Sequence, residues 1–322
     1  MATNYWASSQ CQRWVLRRAD IEAARDEDRR YVDPLELEGV SVWCINTMTL
    51  LGQRLQTRQR VIATGIVYFQ RFYTKNAYAS TDPILVLVTC LYLASKVEEA
   101  PVRIRVLCAE ASRMMQELGY HEFPNHIPAI AEMEFFLLEE LEFDLVVFHP
   151  YDTLSALCRA CVDCMTARTA QKAEIHAALL QISWTVVNDM YRTSLPLEHP
   201  PYLLAVAALY LALVAVPPMA EEVQVLVEGE TRNGSTLLDV LSGMNVSLPM
   251  VVDIVQDMLS RYDLWRRLTH NSREGLAMLH DHAAMFKRLY HMRKEHCQSL
   301  IDTALGQDDT AERDLRTYGP TT

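Results

Sequence analysis

The stretch Asp82-Pro83-Ile84-Leu85-Val86-Leu87-Val88-Thr89-Cys90-Leu91-Tyr92-Leu93-Ala94-Ser95-Lys96-Val97-Glu98-Glu99 decides the fold. Asp82 followed by Pro83 is a helix start: an aspartate side chain accepts the free N–H groups of a first turn, and proline lacks the N–H that would go unsatisfied there. From Ile84 to Ser95 no side chain is charged. The helix is therefore apolar around its whole circumference and has to be surrounded by other helices. A second stretch, Leu203–Val216, has the same character. Each reads as the centre of a small helical bundle.

The rest of the 322 residues agrees. Leu, Ala, Met, Glu and Arg fill the long segments, alternating strand-like runs are scarce, and Gly (10) and Pro (13) are few. The fold class is all-α. Leu91-Tyr92-Leu93-Ala94 recurs 118 residues later as Leu209-Tyr210-Leu211-Ala212, and the same offset lays Tyr73 on Tyr191 and Pro83 on Pro201. The sequence thus predicts two related five-helix bundles.

Residues 1–40 form an N-terminal helix (4–30) and a linker, with Asp33-Pro34 read as the break. Residues 41–149 hold the first bundle, with helices expected at about 40–56, 58–76, 83–98, 103–118 and 126–142. Residues 150–262 hold the second, at 151–166, 170–194, 201–216, 219–229 and 249–262. A polar, Gly-bearing insertion covers 228–248. The extension 263–322 carries five of the ten histidines and reads as a peripheral helix or a tail.

Composition excludes several functions. A net charge of −11 speaks against direct binding of nucleic acid, which needs Lys and Arg to neutralise phosphates. No apolar run reaches the ~20 residues that span a bilayer, so no membrane is implied. The eight cysteines follow no pairing scheme and no signal-peptide apolar core follows the first residues, which suits reduced thiols. Cys158, Cys161 and Cys164 lack a fourth ligand, and in a helix the third thiol points away from the first. The histidines at 270, 280, 282, 291 and 296 have no compact ligand spacing. No metal or cofactor is expected. Glycine-rich phosphate loops and hydrolase motifs are missing, so the chain is not expected to be an enzyme.

Two charged residues stand out. Lys96 ends the first central helix, where a cation is favoured by ~0.3–1 kcal/mol whatever else it does. Glu134 shares a helix face with Ile130, Leu138 and Leu141, where a charge is costly unless partnered. The repeat is an internal control: the offset lays Lys96 on Val214, and Glu134 on Val252 or, with a one-residue shift, Asp253. One bundle keeps the polar pair and the other loses it.

Leu93–Glu99, together with Met133-Glu134 followed by Leu138 and then Phe143-Asp144-Leu145, resembles the cyclin box. Val67-Tyr68-Phe69-Gln70-Arg71-Phe72 fits that family's second helix and Leu85 its third; the likeness runs over about 40–262. It implies tandem cyclin-box folds and a regulatory subunit that activates a cyclin-dependent kinase. Lys96 and Glu134, with Glu99 beside them, would bond kinase backbone groups next to its regulatory helix, and Leu138, Phe143 and Leu145 would bury that helix. Cell-cycle members carry an Arg in the first box helix paired with an Asp before the Arg-Phe of the second. Here no Arg lies between Arg30 and Arg54, and Gln70 holds the Asp position. Substrate recruitment through that patch is not expected.

Asn4-Tyr5-Trp6-Ala7-Ser8-Ser9, Arg60–Thr64, His149-Pro150-Tyr151 and Trp184–Thr193 resemble instead the transcriptional, C-type branch, in a fungal-like form. That resemblance implies a Mediator-associated cyclin-dependent kinase, other subunits of the Mediator kinase module, and the nucleus. Trp6, Trp184, Asn188 and Asp189 are a candidate groove for such a subunit; otherwise Trp184 lies at the core edge, Asn188 and Asp189 are solvated, and Trp6 is a lid packing the N-terminal helix onto the first box. The rival readings are a TFIIB-type factor, which would show a Cys-rich zinc ribbon and basic helices, and a helical scaffold without a kinase.

Overall fold

The computed structural model describes residues 4–120, 123, 127–163, 169–215, 246–270 and 281–317. Helices and no strands occur among them. The N-terminal segment is helical in four pieces rather than the single helix expected over 4–30. They are a 3-10 turn at Tyr5–Ala7, α1 (Ser9–Arg13), α2 (Arg18–Ala23) and a second 3-10 turn at Asp28–Arg30. Tertiary bonds divide it. Ser8 caps α1 through Cys11 N, and the Leu16 N–H leaves the segment to bond the Leu197 carbonyl of the second bundle at 2.8 Å. Asp33-Pro34, read as a break, is also a start: Asp33 accepts the Leu35 N–H and Pro34 opens α3 (Pro34–Arg54).

The first bundle continues with α4 (Gln59–Phe72), α5 (Pro83–Val97), α6 (Ile104–Glu117) and α7 (Ile127–Glu140). Helix α5 is the uncharged stretch, and it touches all four others. Its Asp82 cap accepts from Ile84 N and Leu85 N. Val86, Leu87, Val88, Cys90, Leu91 and Ala94 are completely buried, each large one contributing about 1.5–3 kcal/mol. At the crossing with α4, Gly65 permits close approach: a Cβ there would meet the Met48 sulfur at 3.2 Å and the Leu91 Cα at 3.4 Å.

The second bundle comprises α8 (Tyr151–Asp163), α9 (Thr169–Met190), the single turn α10 (Leu195–Glu198), α11 (Pro201–Ala215) and α12 (Leu248–His270). Here α11 is central and contacts α8, α9 and α12. The repeat offset of 118 carries both ends of α5 onto both ends of α11, and the end of α4 onto the end of α9. The expected helix at 219–229 and nearly all of the insertion at 228–248 lie outside the described residues.

The extension is a long helix, α13 (His282–Thr317), returning to the first bundle. Phe286 stands edge-on to Trp43 and stacks on Tyr120, and Met285, Leu289 and Met292 are buried. The Trp43 indole N–H bonds His282 Nδ1 at 2.9 Å, while Arg288 pairs with Glu36 and His296 with Glu27. No helix among the described residues is long and apolar enough to cross a membrane.

A candidate partner-binding face on the first bundle

Lys96 and Glu134 lie 38 residues apart in sequence and meet as an ion pair. Lys96 is in the last turn of α5, and its ammonium also lies 4.6 Å from the centre of the Tyr92 ring. Glu134 is on α7. Its side chain is 14% exposed and that of Lys96 39%, so the pair sits at the rim of the core. The stripe of α7 that is fully buried is Ile130 and Leu137, continued by Leu141 just past its end, with Glu134 and Leu138 on its shoulder. That rotation is how a charge is tolerated on an apolar helix.

Around the pair the bundle leaves large apolar side chains in solvent. Phe135 is 73% and Phe143 70% exposed, and Phe136 and Val146 are exposed too. Leu138 and Leu145 are half-buried beneath them. Sequence reasoning found Leu138, Phe143 and Leu145 but missed Phe135, Phe136 and Val146. The available signal was the Phe135-Phe136 pair, whose first ring falls outside the 130–137–141 stripe. Glu99 is exposed in a left-handed conformation (φ 52°), and its carboxylate makes no bond to the described residues. Neighbouring Glu98 is held inward, accepting from the Thr64 hydroxyl at 2.7 Å.

Past α7 the chain takes a strained turn. Glu142 (φ 54°) and Phe143 (φ 58°) are consecutive non-glycine residues in the left-handed region, uncommon for any such residue and an outlier for a bulky one. The turn throws the Phe143 ring outward and leads into the irregular segment 144–149.

His149 joins the two bundles. Thr64 donates to Glu98, so its oxygen accepts from His149 Nε2–H at 2.8 Å, and His149 Nδ1 accepts from the Tyr191 hydroxyl at 2.6 Å. Burial, then the charges of Arg60 and Arg71, push the imidazole down to about 3. The chain of bonds ends two residues beyond Lys96.

In the second candidate group the polar side chains turn inward. Asn188 Oδ1 accepts from Gln59 and Tyr151, and Asp189 pairs with Arg192 and accepts from the Tyr262 hydroxyl. Both use their polar atoms inside the molecule instead of being solvated. Trp184 packs against Tyr151, the two rings tilted by 31°. Trp6 is 62% exposed beside Tyr202, and the buried lid of the N-terminal segment is Trp14. Gln70 donates to the carbonyls of Tyr191 (2.9 Å) and Thr193 (2.8 Å), binding one bundle to the other. At the repeat positions of Lys96 and Glu134, Val214 and Val252 are exposed and uncharged.

Two bundles of one pattern, each around an uncharged helix and only the first bearing the Lys–Glu pair, define a class: the chain belongs to the cyclin family, helical regulatory subunits of protein kinases that are not themselves kinases. Residues 41–146 match the cyclin N-terminal domain. The RNA polymerase II holoenzyme cyclin-like subunit of Mycosarcoma maydis is 30% identical, over 94% of this chain and 98% of the relative. Cyclin-C of Drosophila melanogaster is 35% identical, over 83% and 91%. Among solved structures, a chain of the CAK complex of Chaetomium thermophilum bound to ATP-gamma-S superposes with a TM-score of 0.62 at 19% identity, covering 99% of this chain and 97% of that one; the likeness is of fold.

Proposed function

We propose that the face built by Lys96, Glu134, Glu99, Leu138, Phe143 and Leu145, extended by Phe135 and Val146, binds the regulatory helix of a Mediator-associated cyclin-dependent kinase in the nucleus. The observation that carries this is the exposure of Phe135 and Phe143 beside an ion pair at the core rim. An apolar helix laid on these rings removes them from water, supplying the burial energy at about 25 cal/mol per Å². Lys96 and Glu134 then exchange each other for backbone carbonyl and N–H groups of the kinase, charged bonds that fix register once water is excluded. The chain does no chemistry; it selects the kinase conformation whose helix fits this face. Trp6, exposed beside Tyr202, and Trp184, half-buried on α9 with Asn188 and Asp189, are proposed to meet another kinase-module subunit.

The test is co-purification with the kinase and its activation, comparing wild type with Lys96→Glu plus Glu134→Ala. The double variant is expected to keep its helicity and weaken kinase binding by at least about tenfold. Equal binding by the two proteins would overturn the site.

A further inference from the structure

Phe143, on the proposed kinase-binding face, stands at the second of two consecutive left-handed positions. Such conformations cost on the order of 1–3 kcal/mol each and persist only where the surroundings hold them. Much of what holds this one comes from the N-terminal segment, more than 125 residues away in sequence. The Trp14 indole N–H donates to Asp144 Oδ2 at 2.8 Å, fully buried, and the Arg13 guanidinium bonds Asp144 Oδ1 and, at 3.0 Å, Glu142. The Gln10 side chain takes both backbone groups of Phe148, accepting its N–H at 2.6 Å and donating to its carbonyl at 3.4 Å. From the other side α4 supplies Arg71, which donates to the Asp144 carbonyl and lies 4.8 Å from the centre of the Trp14 ring, and Lys75, which bonds the Glu140 carbonyl and Glu142.

We propose that Gln10, Arg13 and Trp14 are positioning residues for the partner-binding face: they clamp the 142–148 segment and pre-set Phe143 in its binding orientation. None of the three lies among the exposed rings of that face. Without the clamp the turn relaxes toward right-handed conformations and the ring leaves its place, so binding has to restore the order. Pre-organisation is gained in affinity when that ordering is already done in the free protein. The inference rests on the kinase-binding reading given above.

The experiment is a double-mutant cycle in the full chain. Affinity for the recombinant Mediator-associated cyclin-dependent kinase is measured alongside the unfolding midpoint. Trp14→Phe keeps a six-membered ring near Arg71 and removes the indole N–H together with part of the buried ring system, a packing loss that the unfolding midpoint reads separately. Arg13→Ala is a second, half-exposed probe that does not threaten folding. Expected are a loss of about fivefold for Trp14→Phe and about twofold for Arg13→Ala, and neither loss in a Phe143→Ala background, because the clamp acts through that ring. The drop in unfolding midpoint is expected to be the same in both backgrounds, as a purely structural effect would be. Full additivity in affinity, or no loss on Trp14→Phe, overturns the clamp while leaving the face intact. No effect of Phe143→Ala on affinity overturns the face reading itself, and the clamp with it.

Discussion

At the scale of single residues, His149 shows how the partners of a buried polar group fix its protonation state. Tyr191 donates to its Nδ1 and its Nε2–H reaches Thr64, so both ring nitrogens are satisfied in the neutral form. Its side chain is 1% exposed, and burial holds the imidazole near 3 against an ordinary 6.5. Glu98 lies 3.9 Å away and favours the charged form, but desolvation and the guanidinium groups of Arg60 and Arg71 outweigh it. The fold therefore prefers neutral His149. Its contribution is complete above about pH 6.5 and is lost as pH falls from 6.5 toward 3, by at most about 1.4 kcal/mol per pH unit. Urea unfolding at pH 7, 6 and 5 is expected to show declining stability, with a shallower slope in His149→Asn; identical slopes would refute the assignment. Lys96 illustrates the opposite situation. Its pair with Glu134 is partly solvated, worth only about 0–1 kcal/mol to the free fold, so replacing both partners together is expected to leave the melting temperature nearly unchanged while weakening kinase binding.

At the scale of elements, the two central helices were readable because a fully apolar circumference and an Asp-Pro cap are local signals. Gly65 shows where a local reading stops. Nothing in Arg60–Phe72 announces that α4 crosses α5 at this residue, yet a branched side chain there would press on the Leu91 backbone. Gly65→Val is expected to destabilise by about 1–3 kcal/mol in chemical denaturation, through overpacking. Helix α13 is the larger surprise of this kind. Its histidines and mixed charge concealed an apolar edge, Met285, Phe286, Leu289 and Met292, that closes over Trp43 and Tyr120. Phe286→Ala is expected to cost about 3 kcal/mol and to make α13 the first site of cleavage in limited proteolysis. A variant as stable and as resistant as the wild type would show that α13 does not depend on that wedge.

At the scale of the whole molecule, the bundles are joined by short polar bridges. Gln70 reaches the carbonyls of Tyr191 and Thr193, Gln59 bonds Asn188, and Arg192 bonds Asn46 at 2.7 Å. Gln70 thus has a use unrelated to the docking patch whose Asp it replaces: it fixes the end of α9 against α4. Gln70→Ala leaves two carbonyls short of a donor and is expected to lower stability by about 1–3 kcal/mol, read as a lower denaturation midpoint at unchanged circular dichroism. An unchanged midpoint would show that the bridge is not needed. The N-terminal segment follows the same rule. Its Leu16 N–H bonds the second bundle while Trp14 and Arg71 close the first.

The sequence by itself determined the all-helical class, the duplication, the two central helices and the singular pair Lys96 and Glu134. Each follows from spacing, capping or charge within a few turns, or from comparing one half of the chain with the other. Only the tertiary structure decided which aromatic rings stay in water, because Phe135 and Phe143 differ from Phe69 and Phe72 in what lies opposite them and not in their neighbours along the chain. It also turned Asn188 and Asp189 inward, broke the N-terminal helix into pieces and replaced Trp6 by Trp14 as the lid. In each case the partner is distant in sequence, and the energy of a hydrogen bond or a buried ring depends on that partner being in place.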